Sequence, residues 1–222
     1  MAKIVIIGAS IGGLSAAYEL KDALGSGHEI TVISNTENFN FVPSNPWVGV
    51  GWRTRKDVCF PLMPCLTRKN INFIASAVKN INPQKQEVTA SNGATMPYDC
   101  LVLATGASFA FDEIEGLGPE QNTVSVCTID HAEKAYEAYK KLLEDPGPVI
   151  IGAAQGASCF GPAYEFAFIL DADLRKKRLR KKIPITFVTP EPYIGHMGLS
   201  GVGDSKGLLE HEFRQRSISW HT

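Results

Sequence analysis

Two of the five cysteines, Cys127 and Cys159, stand where a thiol can react rather than pack. Cys159 lies in GASCFGPAYEFA and reads as a first-turn helix residue. There the positive end of the helix dipole and the unpaired N–H groups favour the thiolate, the nucleophilic form of cysteine. Cys127 lies upstream in VCTIDHAEKA, after an irregular stretch and just before a helix start, again an exposed setting. Two such thiols suit thiol–disulfide chemistry. His131 follows Cys127 and His196 lies in PYIGHMG; near the sulfur, either could relay protons or hold an anion, because imidazole changes charge near neutral pH. Cys59 and Cys65 read as structural, and Cys100 as a core residue of a strand.

The elements that must position these groups begin at the N-terminus. MAKIVIIGASIGG runs from an apolar β-branched strand into a glycine turn, and LSAAYELKDAL then carries apolar residues at helical spacing. A helix opening straight out of a strand aims free N–H groups at whatever lies above the turn, and a pyrophosphate fits that place. Gly8 permits the turn, and Gly12 or Gly13 permits a close approach of ligand or sheet, although Ser10 replaces the central glycine of G-x-G-x-x-G. The second strand, EITVIS, ends at Ser34, so Ser34 and Asn35 stand where an acid usually holds the ribose, with Glu37 a substitute. The aromatic stretch 39–52 reads as a loop covering a flat ring system, 57–69 as a short helix, and 71–97 as a β-meander with a hairpin turn at Asn92-Gly93. YDCLVLATG reads as a buried central strand whose small Thr105-Gly106 end lets a second backbone segment reach the nucleotide.

Residues 107–125 read as a linker, followed by a helix with Asp130 as its N-cap. The opening pattern then returns in PVIIGAAQGASCFGPAYEFAFIL and the strand IPITFVT. The expected fold is therefore α/β, with two Rossmann-like dinucleotide-binding units. The first, FAD-binding unit is residues 1–115, and the second, of NAD type and carrying the redox cysteines, is 116–222; each lacks its closing segment. The repeat departs from the fingerprint, offering Gly152, Ala154 and Ala157, with Pro190 intervening before Glu191, so NAD is not expected there. A glycine-rich loop over 195–203, a helix from 204 to about 216 and a strand within ISWHT complete the reading.

At 222 residues and 44% hydrophobic content the chain can bury a sizeable core, and a net charge of −1 gives no case for nucleic acid. The basic run RKKRLRKK over 175–182 reads as a solvated helix end that complements the dipole. No apolar run approaches the ~18 residues of a membrane span, and no signal peptide is expected. Cysteines without C-x-x-C spacing argue against a disulfide-stapled secreted domain and against a metal site.

The segments GASIGG, FVPSNPWVGVGW, YDCLVLATG, VCTIDHAEKA, GASCFGPAYEFA and EPYIGHMGLSGVGDSKG together resemble the sulfide:quinone oxidoreductases, a family of two-dinucleotide-fold flavoproteins in the disulfide reductase superfamily. The resemblance implies FAD as cofactor, oxidation of sulfide to zero-valent sulfur or polysulfide, and transfer of two electrons to a quinone. It implies redox roles for Cys127 and Cys159 and matches His131 and His196 to the family's histidines. FAD would be held by Gly8, Ala9, Ser10, Ile11, Gly12 and Gly13, by Ser34 and Asn35, by Ala77 and Val78, and by Thr105 and Gly106, with Pro43 facing the ring. It also implies the N-terminal half of a longer, monotopic protein of the cell membrane, whose remainder carries a third cysteine, the quinone pocket and the membrane-binding helices, and it allows a homo-oligomer. The alternatives are a type II NADH:quinone oxidoreductase, a cytochrome-linked sulfide dehydrogenase flavoprotein, and a non-catalytic nucleotide-binding fragment. NADH use is disfavoured by Ala154, Ala157 and Cys159, and the cytochrome-linked relative would need an export signal.

Overall fold

The computed structural model describes residues 1–200 and 202–222. The chain forms two compact units, Met1–Phe41 with Lys56–Glu115, and Val42–Arg55 with Gly116–Thr222.

The first unit starts with β1 (Lys3–Ile7), α1 (Ile11–Leu24) and β2 (Glu29–Ser34), the strands parallel with Ile7 opposite Ile33. After β3 (Asn38–Asn40) the chain leaves through α2 (Asn45–Gly49) and returns by α3 (Arg55–Val58). Where one helix was expected over 57–69 there are β4 (Cys59–Pro61), antiparallel to β3, and α4 (Leu62–Arg68). Pro61 causes the break: it caps α4 with extended backbone, and the residue before a proline is pushed out of helical conformation. β5 (Asn72–Ala75) joins β2 in parallel instead of the expected meander, which consists of β6 (Val78–Asn82), β7 (Glu87–Ala90) and β8 (Thr95–Pro97). Gly93, at φ +89°, turns the β7–β8 hairpin as its sequence indicates.

β9 (Cys100–Leu103) then returns beside β1, giving the parallel order β5-β2-β1-β9. Its neighbours split by the two-residue period of a strand: Ile4, Ile6 and Val32 face Ala17 of α1 and Leu62 and Leu66 of α4, while Val5, Ile7 and Ile33 face Val88 and Met96 of the meander. Because β9 is an edge strand, Cys100 is exposed, correcting its reading as core, and Leu103 keeps 63% of its surface.

In the second unit, α5 (Ile129–Glu144) leads to β10 (Val149–Gly152), α6 (Gly161–Lys176), β11 (Ile185–Val188), α7 (Ser205–Gln215) and β12 (Ile218–His221). The three strands are parallel in the order β10-β11-β12. Asp204 caps α7, accepting from the Gly207 N–H at 3.1 Å. The cap of α5 is Thr128, not Asp130: its hydroxyl accepts the His131 N–H at 3.1 Å, and Asp130 pairs with Arg55 instead. The 39–52 stretch is not a free loop. Val48 and Val50 are buried, and Gly49 sits so close to Val126 and Phe166 that a Cβ would lie 3.0 and 3.2 Å from them.

The basic run is only partly solvated. Asp171 and Asp173 of α6 are 2% and 1% exposed, and the cations that follow them neutralise both. Asp171 accepts from Arg175 at 2.8 Å and Arg180 at 2.6 Å, and Arg180 also donates to the Arg216 and Ser217 carbonyls at 2.9 and 2.8 Å. Removing one member of a buried ion pair strands the other charge. Arg180→Ala is therefore expected to lower the unfolding free energy by about 3 kcal/mol, read by urea denaturation; a change under about 0.5 kcal/mol would mean Arg175 and Arg216, 3.9 Å away, satisfy Asp171 without it.

Asp173 accepts from Trp52 Nε1 at 2.7 Å, from Lys177 Nζ at 2.5 Å and from the Tyr139 hydroxyl. Burial works against its charge, but the Lys177, Tyr139 and Trp52 hydrogen bonds outweigh burial and hold the carboxyl below the usual carboxylate range. A carboxylate with a depressed folded-state pKa stabilises the protein above its unfolded pKa, about 3.9, and loses that contribution as pH falls through the folded value. Asp173→Asn is thus expected to be less stable at pH 7 and to lose part of the acid limb of the stability curve below about pH 4; Tm measured from pH 2 to 7 checks it.

Candidate functional site

The first unit gathers its predicted residues at one end of one sheet. Gly8, Ser34 and Thr105 all lie at the carboxyl ends of β1, β2 and β9. Ala77 and Val78 come just after the same end of β5. The chain builds β2 and β5 on one side of β1 and β9 on the other, so the order reverses between β1 and β9, the place where open α/β sheets bind their ligands. Gly8 spans that crevice. Its N–H donates to the Ile33 carbonyl at 2.8 Å, its φ is +105°, and a Cβ there would lie 2.1 Å from the Ala104 oxygen.

A Cβ on Gly13 would stand 1.9 Å from the Gly8 carbonyl oxygen, whereas on Gly12 it would meet nothing within 4 Å among the described residues. Gly13 thus seats the helix on the sheet, and Gly12 faces the space a ligand can enter. Ala9 is buried; Ser10, Ile11, Asn35, Thr105 and Gly106 are exposed around that space. Ser10, the N-cap of α1, makes no side-chain capping bond, and the first turn holds no acidic residue, leaving N–H groups for an anion. The cradle therefore fits a dinucleotide pyrophosphate. Ser34 is 9% exposed and its hydroxyl accepts the Thr36 N–H at 3.3 Å, closing the turn in which Asn35 lies.

The remaining predicted residues, Pro43, Cys127, His131, Cys159 and His196, belong to the second unit. Pro43 is exposed in a 3₁₀ turn over Val42–Ser44. The repeat of the strand–turn–helix pattern is looser than its sequence suggests: three residues join β1 to α1, but eight, 153–160, join β10 to α6. Cys159 consequently lies outside the helix, two positions before Gly161, and not in its first turn. Pro162 explains the shift, since proline is accommodated in a helix's first turn and fixes where α6 begins. Gly152, the apparent fingerprint glycine, serves strand pairing, because a Cβ there would lie 1.9 Å from the Val188 oxygen.

Both candidate thiols are free and exposed. Cys127 is held by its backbone: its N–H donates to Ser125 Oγ at 3.2 Å, and its carbonyl accepts from Asn45 Nδ2 at 3.4 Å. His131 is half-buried in the first turn of α5, four residues from Cys127 across the Thr128 cap. His196 is half-buried too, with its ring edge-on to Tyr193 at 5.2 Å.

Sequence reasoning missed the support beneath His196. Glu191 is 3% exposed and accepts from the Tyr164 hydroxyl at 2.6 Å and the Thr189 hydroxyl at 2.7 Å, while its other oxygen takes the Met197 N–H. Burial and the Glu191 hydrogen bond push the Tyr164 phenol well above its ordinary pKa, so it remains a donor. The readable signal was an acid beside a strand end, obscured by Pro190. Among the described residues, no group of three or more His, Cys, Asp or Glu could hold a metal ion, and no helix is long and apolar enough to cross a membrane.

The pyridine nucleotide-disulphide oxidoreductase family model matches residues 2–157. The chain belongs to that family. Its members are FAD-binding flavoproteins, and the glycine cradle of the first unit suits that cofactor. The chain is 43% identical over 221 residues to the sulfide-quinone reductase of Aquifex aeolicus, covering 99% of this chain and 50% of that protein. A mitochondrial sulfide:quinone oxidoreductase of Dictyostelium discoideum is 29% identical over 190 residues, covering 83% of this chain and 41% of that one. The X-ray structure of the Aquifex aeolicus sulfide:quinone oxidoreductase superposes with a TM-score of 0.93 at 42% identity, over 100% of this chain and 51% of that chain. The chain thus spans about half the length of the relatives it matches.

Proposed function

We propose that this chain carries the flavin-binding and sulfur-handling part of a sulfide:quinone oxidoreductase, which oxidises sulfide to zero-valent sulfur or polysulfide and passes two electrons to a quinone. The observation that carries the reading is the 43% identity over 221 residues to a sulfide-quinone reductase, joined to two exposed thiols at Cys127 and Cys159. FAD, when bound, supplies a two-electron acceptor. The N–H groups at the start of α1 and the Gly8–Gly13 turn would bind its pyrophosphate, Ser34 and Asn35 would meet ribose hydroxyls, Ala77, Val78, Thr105 and Gly106 would line the approach, and Pro43 is assigned to the ring by the family resemblance alone.

In this reading Cys159 takes part in a disulfide or sulfur-bridged pair. Hydrosulfide attacks a sulfur of that bridge; one S–S bond forms, another breaks, and the leaving thiolate takes the electron pair. Cys127 helps to open the bridge or release product, and His131 and His196 hold the protons that sulfide gives up. The protein acts at a membrane surface as a peripheral enzyme, and can do so as a homo-oligomer.

An NADH-linked reading is weaker. The eight-residue connection, the Gly152 packing and a Glu191 carboxylate already bonded on both oxygens leave little of a nicotinamide dinucleotide site. Flavin absorbance of the purified protein tests the proposal, followed anaerobically on adding sulfide, then quinone, with NADH in a parallel cuvette. Bleaching by sulfide and recovery with quinone is expected. Bleaching by NADH alone would transfer the assignment to the NADH:quinone enzymes, and a yellow protein inert to both would make the chain a nucleotide-binding module.

A further inference from the structure

We infer that Tyr164 and Glu191 are positioning residues for His196, a buried clamp that fixes the backbone on both sides of the imidazole. The inference rests on the proposed role of His196 and deepens it. His196 lies between two residues with left-handed backbone, Gly195 at φ +85° and Met197 at φ +51°. Methionine rarely adopts that conformation, and it persists where the surroundings over-determine it.

The surroundings here are specific. The Gly195 N–H donates to the Tyr164 hydroxyl at 3.0 Å, and the Met197 N–H donates to Glu191. Tyr164 in turn donates to Glu191 at 2.6 Å, so one hydrogen-bonded pair holds the residues before and after the histidine. Both members are rigid: Tyr164 is 2% exposed, with its ring 4.4 Å from Phe187 and 5.8 Å from Phe213, and Glu191 is locked by Thr189. Ser205 closes the far side, donating to the Gly195 carbonyl at 2.8 Å. A charged acceptor buried in this way makes stronger hydrogen bonds than a neutral one, and losing it leaves the Met197 N–H without its acceptor and releases the Tyr164 hydroxyl that holds the Gly195 N–H.

The test is a mutant cycle in the flavin-loaded, full-length enzyme. Glu191→Ala should lower the sulfide-dependent rate about tenfold or more, and Glu191→Gln, whose single amide oxygen can still accept the Met197 N–H, should recover part of it. Glu191→Ala in a His196→Ala background should cost nothing further. Independently of activity, exchange of the Met197 N–H should quicken at least about a hundredfold in Glu191→Ala, and that of the Gly195 N–H in Tyr164→Phe. Should Glu191→Ala fail to hold flavin, Tyr164→Phe, which keeps the ring, carries the same cycle. A slow His196→Ala enzyme beside Glu191→Ala or Tyr164→Phe at the wild-type rate overturns the clamp, as do effects that simply multiply in the double variant. His196→Ala at the wild-type rate removes the histidine's role first, and the clamp's purpose with it.

Discussion

Gly13→Ala is expected to break the opening βαβ unit and strip the protein of flavin, whereas Gly12→Ala, one residue away, should fold normally and bind flavin poorly. The difference lies in what each new methyl group meets. On Gly13 it would stand 1.9 Å from the Gly8 carbonyl oxygen and 2.8 Å from its carbon, both backbone atoms that cannot rotate aside. The helix must then lift from the sheet, and overpacking of this kind costs about 3 kcal/mol. On Gly12 the methyl meets open space, and replacing a helical glycine by alanine stabilises a helix by about 1 kcal/mol. That space is where we propose that the pyrophosphate approaches, so flavin affinity should fall about ten- to a hundredfold, the equivalent of one or two charge-assisted hydrogen bonds. Tm and flavin content, measured together, separate the two; a Gly13→Ala protein with wild-type Tm and colour would refute the seating role.

The second large effect belongs to Cys159. Cys159→Ser should retain its flavin and its stability but lose sulfide-dependent flavin reduction by at least about a thousandfold, because a serine hydroxyl is neither ionised at neutral pH nor able to form an S–S bond. Cys127→Ser should slow the reaction less, in keeping with an auxiliary part. Stopped-flow bleaching at 450 nm reads both, and wild-type rates in Cys159→Ser would remove this thiol from the chemistry. The exposure of Cys159 keeps such a role open, since a sulfur sealed in the core could not meet sulfide at all.

What was legible in the sequence was local. The first strand–turn–helix follows from a β-branched run, three turn residues and helical spacing, all within about 25 positions, and nothing distant contradicts it. The roles of Gly12 and Gly13 were not separable, because what distinguishes them is the Gly8 carbonyl across the turn. The start of α6 was readable in principle from Pro162 and was misplaced by following the repeat. Cys100 looked like core because its neighbours are apolar, yet strand order decides burial, and strand order is a long-range property. Arg180 escaped for the same reason: it reaches back to Asp171 and forward to the Arg216 and Ser217 carbonyls, contacts that a run of like charges conceals.

The position of β9 at the margin of its sheet bears on how this polypeptide behaves at high concentration. CLVL offers a row of hydrogen-bonding groups flanked by aliphatic side chains and guarded by no lysine, proline or bulge, so it can recruit a like segment from a neighbouring molecule. Preparations of these 222 residues alone should cloud as concentration rises, and placing a lysine at Leu103 should keep them clear.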